Sequence, residues 1–211
     1  MSATTGTWPD LCSAAALTGQ AGSAGLTVLA AAGWPESAAD QAPPPIAGFV
    51  VSSFSPLAAE VARRCLLRRP VAPTVGTDST DGSTVEAAGT VTAVVVVSPL
   101  GDLAGAVHVA ETTDAGGRVG PLLFFQAVPN AVAGHVAALW QLTGPVVCVG
   151  DTRAGLAVAA LLLDDGDADL VLLVRVDQAA APGTRDRAGA VLLRADASSG
   201  AGPHTSEREQ P

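Results

Sequence analysis

From Ala154 to Leu163 the chain reads AGLAVAALLL, with no polar side chain at any helical position. The surrounding pattern predicts a helix over Thr152–Asp164, N-capped by Asp151 or Thr152. A second helix, predicted over Pro129–Leu142, contains AVAGHVAALWQL, where only His135 and Gln141 interrupt the apolar surface. A helix at the surface of a lone domain carries a polar face. Helices without one need cover on more than one side, and a single sheet covers one side only. Leaving even ~400 Å² of apolar surface in water costs on the order of 10 kcal/mol gross, which rivals the stability of a whole domain. Either both helices lie at the centre of an unusually layered monomer, or another subunit completes their cover. The second is the expectation here.

The remaining elements read as follows. Leu26–Ala32 predicts a first strand, stopped by Gly33-Trp34-Pro35, and Pro43-Pro44-Pro45 an extended linker. Ser55–Leu67 has helical spacing, with Ser55 a candidate N-cap and Pro56 suited to the first turn. Pro70–Gly89 is a polar loop. Thr90–Ser98 (TVTAVVVVS) is a β-branched run suited to a strand buried on both faces. Asp102–Thr112 predicts a helix, Val146–Val149 a short buried strand, and Asp169–Val176 and Gly189–Ala195 two more strands. The alternation predicts one α/β domain over residues 25–196 with mainly parallel pairing. It would be flanked by a flexible N-terminus over 1–24 and a disordered polar tail over 197–211.

The composition closes off several classes. The net charge of −9 argues against nucleic-acid binding, and the cluster Arg63, Arg64, Arg68, Arg69 reads as a solvated helix end or a partner-facing patch. Cys12, Cys65 and Cys148 show neither CxxC nor Cys/His ligand spacing, so reduced cytoplasmic thiols are expected, with no zinc site and no disulfide framework. No GxGxxG or GK[ST] pattern occurs, and no cofactor is expected. The start of the chain lacks signal-peptide character, and no apolar run is long enough to suggest a membrane span.

The order Asn130, Ala133-Gly134-His135, Gly144-Pro145, Val146–Val149, Gly150-Asp151-Thr152-Arg153, apolar helix, Gly166-Asp167-Ala168-Asp169, strand resembles the central segment of a β-ketoacyl synthase. The resemblance runs over roughly residues 26–195 and is most specific over 121–195. It is nearest to short proteins similar to the N-terminal half of a ketosynthase, which look like chain length factors of type II polyketide and aryl polyene systems. It implies half of a thiolase-like fold: a mostly five-stranded mixed sheet with packed helices. In that family the residue at the start of the apolar helix is a nucleophilic cysteine. Here it is Arg153, a cation that neither attacks nor deprotonates. The two histidines that support decarboxylation belong to the family's C-terminal half and have no counterpart in this sequence.

The resemblance therefore implies a non-catalytic partner of an active ketosynthase in a heterodimer or heterotetramer, shaping the acyl cavity and meeting acyl carrier protein through the complex. The alternatives are a self-sufficient acyltransferase-type enzyme with a non-standard site, and a purely structural scaffold. Carried over as interface or acyl-cavity candidates are Phe124, Phe125, Asn130, Gly134, His135, Val146, Val147, Cys148, Val149 and Arg153. Phe124 and Phe125 either wall an acyl tunnel or pack in the core. His135 is expected to make a structural hydrogen bond, and Cys148 to sit buried in its strand as a small apolar residue. Arg153 either has no role or reaches an anion on a partner or on an acyl-carrier phosphate. Because a cation at a helix N-terminus opposes the dipole, a compensating anion is expected, with Asp151 the candidate.

Overall fold

The computed structural model describes residues 11–70, 89–180 and 184–196. The chain runs α1 (Ala14–Ser23), β1 (Leu26–Trp34), α2 (Phe54–Leu67), β2 (Thr92–Val97), α3 (Leu103–Asp114), α4 (Pro121–Gln126), α5 (Pro129–Trp140), β3 (Val146–Val149), α6 (Thr152–Asp164), β4 (Leu170–Asp177) and β5 (Arg187–Ala195). The strands form one sheet in the order β1-β5-β4-β2-β3.

The β-branched run predicted to be buried on both faces is β2, and all six of its residues are buried. Val94 and Val96 join the core under α2 and α5, whereas Ala93, Val95 and Val97 join the core under α1 and α6. A period of two on the strand thus feeds two separate helical layers. Only half of the pairing is parallel: β2 pairs parallel with β3 and β4, while β5 pairs antiparallel with β4 and β1. The mainly parallel pairing expected from the alternation is thus only half realised, whereas the five-stranded mixed sheet implied by the resemblance is the one formed. Its cause is the short link after β4, which returns directly as β5 with no crossover helix. From β2 the chain moves outward to β3 through α5 and back across to β4 through α6. Crossovers of one hand running in opposite directions place their helices on opposite faces, and α5 and α6 do lie on opposite faces.

The stretch expected to be flexible over 1–24 contains α1. Ser13 caps it, its Oγ accepting from the Ala16 N–H at 3.2 Å, and Leu17 and Ala21 are buried against the sheet. Two apolar contacts one turn apart in an Ala/Gly/Thr background are a weak periodic signal; β1 and β5 supply the partner surface that makes the helix worthwhile. α2 starts at Phe54, not Ser55, and Ser55 is buried; the Phe54 N–H donates instead to the Ser52 Oγ. The predicted tail over 197–211 and most of the loop over 70–89 lie outside the described residues.

Arg63, Arg68 and Arg69 are exposed at the end of α2, as a solvated helix end requires, but Arg63, Arg64 and Arg68 are also tied into ion pairs within the chain. Arg64 reaches Asp40 at 2.7 Å and Glu60 at 2.7 Å, and its guanidinium lies 4.6 Å from the centre of the Trp34 ring. Arg68 pairs with Glu36 and Arg63 with Glu60, so α2 is bolted to the segment after β1. Arg68 holds the Glu36 carboxyl below the usual range, Arg64 does so for Asp40, and Arg63 for Glu60. Depressed carboxylates stabilise the fold above their unfolded range, and that contribution disappears as pH falls through it. Arg64→Ala is expected to lower stability at neutral pH by about 2 kcal/mol, from a charged hydrogen-bond network with a cation–π contact. The gap from wild type should close below pH ~4. Thermal melts of both proteins across that range check this.

Candidate subunit interface

β3 is an edge strand. Among the described residues it pairs only with β2, so its other side offers unpaired backbone groups. Val146, Val147, Cys148 and Val149 are all half-buried, where the sequence predicted a buried strand. The apolar run could not distinguish a central position from an edge flanked by helices, because α5 and α6 cover β3 from its two faces in either case.

Around this edge the surface is apolar. α5 buries Val132, Ala133, Val136 and Ala137 against the sheet and α2. Its other side leaves Asn130, Gly134 and Ala138 exposed, with Leu139 63% exposed. α6 buries Gly155, Leu156, Ala159 and Leu162 and leaves Ala157 exposed and Leu161 57% exposed. Gly155 permits that approach, since a Cβ there would sit 2.7 Å from Val97 Cγ2. The two helices without a polar face are thus half-covered within the protomer, and their remaining apolar surface faces outward. Phe124 and Phe125 belong to the short helix α4 and are 63% and 74% exposed, which removes the core-packing reading. With Leu122 and Val128, also exposed, they extend the apolar surface next to α5. No isolated domain gains by presenting this many large apolar side chains together.

His135 is half-buried and, instead of the expected hydrogen bond, meets Phe49 edge-on, with ring centroids 5.9 Å apart. His108 is exposed on α3.

At the start of α6 the Asp151 side chain accepts from the Ala154 N–H at 2.8 Å. This carboxylate is committed to capping the helix. It makes no ion pair with Arg153, which is exposed and has no salt bridge among the described residues. Behind the same helix end lies an arginine that the motifs did not single out. Arg175 on β4 is 7% exposed, donates from Nη1 to Thr152 Oγ1 at 2.5 Å, and pairs with Asp177 at 2.8 Å. A signal for it exists in the sequence: an arginine inside VLLVRVD with an aspartate two residues on lies on the same strand face as its counter-ion.

None of the described thiols suits a nucleophile. Cys148 borders a cavity of about 290 Å³ with Ser98, Pro129 and Gly150 at the C-terminal ends of β2 and β3, but burial pushes its pKa up to about 11. Burial pushes Cys65 up to about 12, and it raises Cys12 as well. The thiolate is the reactive form, and burial disfavours it at all three sulfurs. Among the described residues no group of three or more His, Cys, Asp and Glu could hold a metal ion, and no helix is long and apolar enough to cross a membrane.

No protein-family profile and no curated protein matches the sequence. Solved structures do. A chain of the ketosynthase (ApeO) in complex with its chain length factor (ApeC) from Xenorhabdus doucetiae aligns with a TM-score of 0.52 at 20% identity, covering 71% of this chain and 60% of that one. The ishigamide ketosynthase/chain length factor aligns with a TM-score of 0.52 at 20% identity, over 75% of this chain and 48% of that one. A β-ketoacyl synthase from Burkholderia phymatum STM815 gives 0.51 at 15% identity, over 68% and 42%. The chain thus spans 60% or less of the length of each of these three proteins. The mixed five-stranded sheet between two helical layers is accordingly the thiolase-like fold of ketosynthase-type proteins, present over part of their length.

Proposed function

We propose that this chain is a non-catalytic partner subunit of a ketosynthase, of the chain-length-factor kind. It would dock along β3 with α5 and contribute Phe124 and Phe125 to the wall of an acyl cavity at the junction. The observation that carries the reading is Arg153 at the first turn of α6, in a fold shared with ketosynthase-type structures. A guanidinium there supplies no nucleophile, and the nearest strand thiol, Cys148, is half-buried and protonated at neutral pH. The unpaired β3 edge and the apolar surface beside it supply the docking face. Acyl carrier protein would be met through the complex, and the pathway would make a polyketide or polyene chain. A self-sufficient enzyme is disfavoured by the burial that keeps these thiols protonated, and a pure scaffold differs only in leaving product length unchanged.

The test is co-expression with a full-length ketosynthase. The expected result is co-elution of the two chains in equal amounts, at their summed mass or a multiple of it. Arg153→Cys in the isolated chain should produce no condensation of acyl-thioesters. A soluble monomer that ignores the ketosynthase, or carbon–carbon bond formation by the chain unaided, overturns the reading.

A further inference from the structure

The outward face of α6, part of the apolar surface beside β3, is turned away from the sheet and carries a charge at each end. The residues of α6 buried against the sheet are Thr152, Gly155, Leu156, Ala159 and Leu162, one helical stripe. The opposite stripe is Arg153, Ala157, Leu161 and Asp164, all exposed. It begins with a cation, ends with an anion and is apolar between them. Both charges oppose the helix dipole: no acidic residue occupies the first turn and no basic residue the last. Local helix physics would place each at the other end.

The stripe is self-complementary. Arg153 and Asp164 are separated by about 16 Å of helix. Ala157 lies four residues in from the first and Leu161 three residues in from the second, so the stripe reads nearly the same from both ends. A second α6 laid antiparallel about a two-fold axis sets each Arg153 against the Asp164 of the partner copy. It also sets the positive end of each dipole against the negative end of the other. Ala157 lets the helices approach closely, and Leu161 fills the groove beside it. The contact is isologous and closes at two copies. The charge order that is unfavourable in one helix becomes favourable in the pair, and the anion that Asp151 does not provide for Arg153 comes from the partner copy.

We infer that this face is the self-association surface of the chain: two copies pair back to back through α6. The pairing needs no ketosynthase and leaves β3 free, so it also joins two ketosynthase-bound protomers into a heterotetramer.

The experiment uses the full chain, with mass determined by sedimentation or light scattering. Wild type is expected at twice the chain mass. Arg153→Glu and Asp164→Arg should each weaken the dimer more than tenfold, because each sets like charges together. The double variant Arg153→Glu/Asp164→Arg should restore it. Neither single change threatens the fold, since each places its charge where the dipole prefers it. Under mild oxidation Ala157→Cys should cross-link into a covalent dimer, whereas Ala110→Cys on the exposed side of α3 should not. A monomeric wild type overturns the proposal. So does a dimer that survives both single reversals, or one that Leu139→Arg on α5 dissolves instead. Ketosynthase binding is read separately, by co-purification of the same variants. Failure of the wild-type chain to co-purify with the ketosynthase while its α6 dimer stays intact counts against the partner-subunit reading alone.

Discussion

Leu139→Arg is expected to leave the free chain folded and to weaken its association with a ketosynthase about 100-fold. The reasoning starts from exposure. Leu139 is 63% exposed in the lone chain, so its removal costs little there, within about 0.5 kcal/mol. In a complex that covers α5, the same position becomes an apolar anchor. Arginine would forfeit that burial and leave a desolvated charge without a partner, costing about 3 kcal/mol, roughly two decades in affinity. Gly134→Ala gives a finer reading. Gly134 is exposed on α5, and a Cβ added there would meet nothing within 4 Å, so alanine has room in the free chain. Replacing a mid-helix glycine stabilises by up to ~1 kcal/mol. A variant that melts higher alone yet binds the ketosynthase more weakly would place a partner against that face. Titration calorimetry or surface binding with matched thermal melts separates the two effects. Unchanged affinity in both variants removes α5 from the interface.

Gly189→Ala is expected to detach α1. A Cβ on Gly189 would lie 2.0 Å from the carbonyl oxygen of Cys12 and 2.9 Å from Leu17 Cδ1. The first is a backbone atom and cannot swing aside as a side chain would. The segment entering α1 must retreat by more than an ångström, and the burial of Leu17 and Ala21 goes with it. Uncovering part of the core shared with α6 should cost about 3 kcal/mol, a fall in Tm of roughly 6–12 °C for a domain of this size. Protease cleavage between α1 and β1 should accelerate in parallel. A variant with the wild-type melting point and wild-type protection would mean that α1 does not pack against β5.

These positions separate what a local pattern can encode from what it cannot. The strand TAVVVV and the apolar helices were legible because burial on both faces selects β-branched runs and removes polar faces, and each is a property of neighbouring residues. The guanidinium in the first turn of α6 was legible too, because it is a single residue at a helix start that the local pattern marks. The edge position of β3, the exposure of Phe124 and Phe125, and the close approach of Cys12 to Gly189 were not. Each depends on which strands become neighbours, and strand order is settled by crossovers between segments far apart in the chain.

The ion-pair cluster around Arg64 follows the same division. Its arginines were visible as a charged run, yet Asp40, Glu36 and Trp34 come from another part of the chain and meet α2 only because β1 ends beside it. By itself the sequence determined that this chain buries an α/β core, carries more apolar helical surface than one sheet can cover, and keeps a guanidinium at the head of its most apolar helix. The tertiary structure alone decided which apolar surfaces remain uncovered and which charges find partners. Hydrophobicity and charge are written residue by residue, whereas cover and counter-ions arise from distant segments brought together.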